Sequence, residues 1–338
     1  MYYIFFLILV FLSFFLTEKP TKTVVLCLIF FFIIIAGLRS PFIDSDYQNY
    51  LTSISRGWGI AEISFYWISD FSYLLTGDTL LVFIIYAIIG ITTQFYAIYK
   101  YSTDFWLSFI FFFCTYFVLL DMNAMRAGAA CGIAMLAWKP WSENKHLITL
   151  SLLILATLFH YSFGVLLLAY LFVKNNNKFI HYFVALVPLA YMFHFIVNLE
   201  SLFALFNLTF VNVKFTSYEV AQSGELSIFS TVLILRIIVI ATLYFFRDAL
   251  SKKCDMFYLL LKLYILGFFI AVIISAIPIV AMRMLDIFVC SELILLPLFC
   301  EIVKPRYLVV TGIVLYAAFY FHLYIIAAEY IKPYELNL

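Results

Sequence analysis

Three arginines and one histidine stand out by where they sit. Arg39, Arg126 and Arg283 each lie at the edge of a long apolar run, and His160 interrupts another near its middle. A guanidinium fork matches a phosphate bidentately and stays charged at any relevant pH. Three such forks converging could hold a diphosphate without a metal. A neutral imidazole near pH 7 can take a proton from a hydroxyl, which makes His160 the first candidate for a general base. Asp46 shares that candidacy or binds sugar, and Tyr47, Tyr50, Glu62 and Tyr161 are of types that stack on or hydrogen-bond sugars. Each feature also has a structural alternative. Arg39 could pair with Asp44 or Asp46, Arg126 with Asp121, Arg283 with Asp286 at i+3, and His160 could bond a neighbouring carbonyl. Asp44-Ser45-Asp46 matches a metal-binding D-x-D pattern, but hard cations want more oxygen ligands, and a solvated acidic turn accounts for it as well. No metal is expected.

The elements that must carry these groups follow from composition. Of 338 residues, 66% are hydrophobic and 12% charged, with mean hydropathy +1.09. Soluble domains carry about 25% charged residues, so this chain lacks the polar surface to sit in water. It reads as an all-α polytopic membrane protein. A net charge of +1 offers no basic field for nucleic acid. The six cysteines show no CxxC or CxxH spacing and read as small apolar fillers. Met1–Leu16 lacks a basic leader and reads as a first membrane segment.

Apolar segments fall at about 2–16, 22–38, 79–98, 105–120, 124–138, 147–159, 161–173, 179–197, 227–246, 256–275, 283–302 and 307–326. Twelve crossings would use about 28 residues each, so a single integral membrane domain over 1–338 is expected, with no room for a soluble catalytic domain. Lys19, Lys22, Lys100, Lys139, Lys145, Lys174, Lys178, Arg247, Lys252, Lys253, Lys304 and Arg306 all fall in or beside alternate short connections. That side is therefore cytoplasmic. Both termini and the long loops, about 39–78 and 198–226, then face outward.

Residues 147–173 form one apolar run broken by His160. Read as one span it would invert everything downstream. Read as a hairpin, each arm is about 20 Å long against a hydrocarbon core of about 30 Å. The turn then sits below the outer surface, a re-entrant-like pair whose polar backbone needs protein or water beside it. An outward-open cavity with His160 at its floor is the expectation. Ile60, Ile63, Trp67, Phe71, Leu74 and Leu75 recur at helical spacing, as do Leu199, Leu202, Phe203, Phe206 and Phe210. Both read as amphipathic helices along the membrane surface, roofing that cavity. Arg236 and Glu292, deep in their segments, could pair across helices, and Lys262 could snorkel toward the cytoplasm.

In these residues the chain resembles the EpsG/Wzy-type family of bacterial polysaccharide polymerases. The matching stretches are Gly37-Leu38-Arg39 with Asp46-Tyr47 and Tyr50; Lys100-Tyr101-Ser102; Asn123 to Arg126 followed by Ala127 to Ala130; and Ala156 to Ser162 around His160, with an echo at Arg283. Three positions depart from the family pattern: Asp44 where glycine is usual, Ala127 where glutamine often follows the arginine, and Tyr161 where proline often follows the histidine. The resemblance implies a GT-C-like, metal-independent glycosyltransferase in the bacterial cytoplasmic membrane, with its active site facing outward. It would transfer a growing glycan from undecaprenyl diphosphate to the non-reducing end of a lipid-linked repeat unit. Its partners would be undecaprenyl-diphosphate-linked oligosaccharides and membrane lipid, with a chain-length regulator and a flippase as candidate associates. In that scheme Arg39, Arg126 and Arg283 hold the diphosphate and His160, or Asp46, takes the hydroxyl proton. The alternatives are a lipid-linked oligosaccharide flippase, an O-antigen ligase and a membrane O-acyltransferase.

Overall fold

The computed structural model describes residues 2–44, 46–56, 61–196, 226–328 and 331–335. The described residues are helical, apart from loops and an isolated bridge between Asp44 and Ile331. Among the described residues, Leu80–Tyr101 and Arg306–Ala327 are long and apolar enough to cross a bilayer, and eight shorter apolar helices of 10–17 residues accompany them. The chain forms two compact units, Met1–Phe172 with Leu293–Leu338, and Val173–Glu292.

The first unit contains α1 (Tyr2–Phe15), α2 (Lys22–Gly37), α3 (Tyr47–Arg56), α4 (Ile63–Thr76), α5 (Leu80–Tyr101), α6 (Phe105–Phe112), α7 (Met125–Ser142), α8 (His146–Phe159) and α9 (Val165–Phe172). Its centre is the crossing of α5 and α7. A Cβ on Gly132 would come within 1.9 Å of Thr93 Oγ1 and 2.9 Å of the Gly90 carbonyl, so the two backbones approach as closely as small residues permit. The chain continues from α6 into a π-helical stretch, Phe113–Asp121, closed by Met122 N–H to Phe117 O and Ala124 N–H to Leu119 O. The wider turn brings Asp121 into the gap left by Gly90 and Gly128, where its Oδ1 accepts from Gln94 Nε2 at 3.0 Å. Asp121 is thereby bonded to Gln94, not to Arg126 as one sequence reading had it. Phe32 of α2 fills the neighbouring space, meeting Phe109, Phe113 and Phe117 edge-on.

At one end of this unit Arg306 gathers three connections. It donates to Asp104 Oδ2 at 2.6 Å and to the Ser13 and Leu16 carbonyls at 3.0 and 3.3 Å, a cation at the C-terminus of α1. Trp106 Nε1 reaches the Glu18 carbonyl at 3.2 Å beside them. The connections after α1, α5 and before residue 306 thus share an end, as the alternation of basic loops requires.

The hairpin expected around His160 is present. α8 stops at Phe159, and a 3-10 turn, Tyr161–Gly164, leads into α9. His146, which opens α8, is hydrogen-bonded to Tyr170 near the end of α9, and the Tyr170 ring lies 5.2 Å from Trp141. The arms therefore return to the same end, with His160 at the apex.

The stripe on the 39–78 loop forms a helix, but it faces away from the protein. Ile63, Trp67, Phe71, Leu74 and Leu75 are exposed on α4, while Ser64, Phe65, Ser69 and Ser72 are buried. The expected roof over a cavity is replaced by an apolar face turned outward. The stripe expected at Leu199–Phe210, and Ile60, lie outside the described residues.

The second unit contains α10 (Ile180–Ile196), α11 (Thr231–Phe245), α12 (Phe257–Ile273) and α13 (Pro278–Val289). A Cβ on Gly267 would come within 2.4 Å of the Phe288 Cβ, so α12 and α13 cross tightly there. Arg236 pairs with Glu292, to which Tyr264 also donates. Lys262 is buried and reaches the Lys174 carbonyl at 3.0 Å and Asn176 Oδ1 at 3.1 Å. The segment read as 283–302 is not one helix. Proline favours a first helical turn, so α13 starts at Pro278. The chain breaks after Val289 into short turns at Glu292–Leu295 and Pro297–Glu301. Arg283 accordingly lies in the second turn of α13 rather than opening a helix, and it is exposed.

Candidate active site

Ending α8 at Phe159 leaves His160 with extended backbone, φ −155° and ψ 114°. Its N–H still bonds the Ala156 carbonyl at 2.9 Å, and its carbonyl accepts from Phe163 N–H at 2.9 Å, which fixes the start of the turn. The imidazole keeps 17% exposure.

Glu62 precedes α4 as its N-cap. Its carbonyl takes the Phe65 N–H at 3.0 Å, but its side chain makes no capping bond. The carboxylate instead turns to His160, with Nδ1 at 2.8 Å from Oε1, and to Arg126, whose Nη1 bonds Oε2. Tyr161 N–H also approaches Oε1, at 3.4 Å. One carboxylate thus joins residues 64 and 98 positions away in sequence.

Arg126 lies in the first turn of α7, its guanidinium 5.2 Å from the Tyr50 ring and 5.3 Å from Phe65. Its side chain is 24% exposed. Burial pushes the Glu62 carboxyl up, but the hydrogen bond from His160 and the charge of Arg126 outweigh that and hold it at about 2. An ionised carboxylate only accepts hydrogen bonds. A proton must therefore be on Nδ1 of His160, a tautomer that in a neutral imidazole leaves the lone pair on Nε2. The arrangement sets an imidazole and a guanidinium on the two oxygens of one carboxylate.

Of the other residues singled out from sequence, Tyr161 joins this cluster. Half exposed beside His160, it donates from its hydroxyl to the Ala61 carbonyl at 3.4 Å. Tyr47 and Tyr50 are buried instead of open to a sugar. Tyr47 stacks on Phe83 at 4.0 Å, and Tyr50 packs against Phe65 and Phe83. Glu62, read as a sugar ligand, is a side-chain anchor here, and only its distant partners in the fold reveal that.

Arg39 has the partner foreseen in the structural alternative. It donates from Nε to Asp44 Oδ2 at 2.7 Å and from Nη1 to the Ala36 carbonyl at 2.5 Å, over the rings of Tyr47 and Phe83. The C-terminal segment runs alongside: Lys332 N–H bonds the Ile43 carbonyl at 2.8 Å and Ser40 N–H the Glu335 carbonyl at 2.9 Å. Arg39 is fully buried, so a ligand cannot reach it as packed. Asp44 Oδ1 accepts from the N–H groups of Asp46 and Tyr47 at 3.0 and 2.8 Å. Both oxygens of Asp44 are therefore engaged within the protein. Asp46 accepts from Asn49 Nδ2 at 3.2 Å at the start of α3. Arg283 belongs to the second unit.

The model of the EpsG family matches residues 22–336, nearly the whole chain. No curated protein and no solved structure matches it.

Proposed function

The chain belongs to the EpsG family, integral membrane proteins of polysaccharide biosynthesis, and from that premise we propose that it is a repeat-unit polymerase. In this reading it crosses the bacterial cytoplasmic membrane about twelve times, and the end bearing Glu62, Arg126 and His160 faces outward. The donor is a glycan on undecaprenyl diphosphate and the acceptor a hydroxyl at the non-reducing end of a second lipid-linked unit.

The observation that carries the reading is the carboxylate of Glu62 holding Arg126 and His160 together. Expulsion of a diphosphate builds negative charge, which a preorganised guanidinium stabilises. The incoming hydroxyl needs a proton acceptor within hydrogen-bond reach, and Nε2 of His160 supplies one. The diphosphate is assigned to Arg126. Arg39 is assigned to the scaffold, because it is enclosed. Tyr161 is the remaining sugar-contact candidate, being the exposed aromatic beside the histidine. No metal enters this scheme.

The test is a reconstituted assay that scores chain elongation and lipid-linked substrate translocation separately. Arg126→Ala and His160→Ala should each slow elongation by about 10²-fold or more in protein that is inserted and monodisperse. Full-length polymer from both variants, or lost translocation with intact elongation, would overturn the assignment. Undiminished elongation in excess chelator is the expected outcome for the metal-independent form of the reaction.

A further inference from the structure

Glu62 serves two partners of opposite need. Arg126 must be available to a diphosphate, and His160 must be held with Nδ1 protonated. The carboxylate is free to do both because it does not cap α4. Resting on the assignment above, we propose that Glu62 is a positioning residue that couples donor binding to the base. While the site is empty, the Arg126 charge offsets that of Glu62. An arriving diphosphate draws the guanidinium onto itself, and the carboxylate is left to His160.

The imidazole then becomes a stronger proton acceptor at the moment the leaving group is in place. In the transfer itself the acceptor hydroxyl gives its proton to Nε2 of His160. Its oxygen forms a bond to the anomeric carbon as that carbon's bond to the diphosphate oxygen breaks. The bonding pair departs with the lipid diphosphate, and the imidazolium formed is hydrogen-bonded to Glu62 through Nδ1.

Glu62→Gln separates this role from simple support, since it keeps an oxygen for the Nδ1 proton and loses the charge. Two readouts are taken on the full-length purified protein: elongation, and affinity for undecaprenyl diphosphate, with inorganic pyrophosphate as a headgroup-only probe. Elongation should fall on the order of 10²-fold. Affinity for both probes should hold or tighten several-fold, because the competing carboxylate charge is gone. The double variant with His160→Ala should be no slower than His160→Ala alone, as expected of residues acting as a unit.

Unchanged elongation, or affinity lost in proportion to rate, would overturn the proposal. Glu62→Asp retains the charge but is one methylene shorter, so it should elongate at a rate between those of the wild type and Glu62→Gln. A rate no better than that of Glu62→Gln would also overturn it. Normal elongation in Arg126→Ala and His160→Ala would instead sink the polymerase assignment beneath it. If those two are inactive while Glu62→Gln behaves as wild type, only the coupling fails.

Discussion

Two arginine–carboxylate pairs in the first unit begin alike and end differently. Arg39 pairs with Asp44 over Tyr47 and Phe83, and Arg126 pairs with Glu62 over Tyr50 and Phe65. The rings beneath them join into one ladder, with Tyr50 and Phe83 centroids 6.1 Å apart. What divides the pairs is the second oxygen of each carboxylate. Asp44 gives it to the backbone N–H groups that open α3, whereas Glu62 gives it to the imidazole of His160. The first pair is shut inside the protein beside the C-terminal segment. The second keeps its guanidinium and its imidazole partly open. The first pair is enclosed, with Arg39 Nη2 buried and without a hydrogen-bond partner among the described residues; the second shares its carboxylate with a partly exposed imidazole.

Breaking the open pair should have the larger functional effect. His160→Ala removes a general base and should slow elongation by about 10²–10⁴-fold, and Arg126→Ala should cost about 10²–10³-fold, both measured as initial rates on reconstituted protein. Breaking the closed pair should register as stability. Arg39→Ala leaves Asp44 buried without its cation and should cost about 3–5 kcal/mol, read by thermal unfolding in detergent. Replacing both partners together, Arg39→Met with Asp44→Leu, should recover much of that loss and retain elongation. A stable double variant that makes no polymer would return Arg39 to the active site and erase the contrast. Asp46→Asn should do least. It alters one partly exposed hydrogen bond to Asn49, worth about 0.5–1.5 kcal/mol, and should leave elongation within a few-fold.

Much of the frame was legible in the amino-acid sequence, because apolar run lengths set helix positions and basic loops set their alternation. The hairpin at His160 followed from the basic residues downstream, which a single span over 147–173 would have turned outward, and Asp44 was one of two partners, with Asp46, open to Arg39 in the structural alternative. Three things were hidden for physical reasons. The partner of Arg126 is 64 residues away, so only tertiary packing brings it there. Asp121, nearer in sequence, is diverted by a π-helical turn and by the room that Gly90 and Gly128 leave, neither of which periodicity announces. The orientation of the α4 stripe was ambiguous because apolar residues line its exposed face, while serines let its other face pack closely. In a chain this apolar, hydrophobicity marks the helices but does not say which side of a helix faces protein.

The same comparison carries an electrostatic consequence that acid can expose. Glu62 is held at about 2 in the folded protein against an ordinary value of 4.5, since His160 and Arg126 outweigh its burial. Across that window the unfolded chain binds more protons at this site than the folded one, so stability rises with pH. The contribution is fully present above about 4.5 and is lost as pH falls through about 2. Thermal unfolding of wild type and Glu62→Gln should therefore differ most near neutrality and converge as pH is lowered through this range. A constant difference down to pH 2 would mean that the carboxylate is not held by its charged neighbours. Between pH 5 and 8 Glu62 stays ionised, so an acid limb in the elongation rate within that range belongs to another group. The carboxylate charge beside the Nδ1 proton of His160 is then fixed across that range.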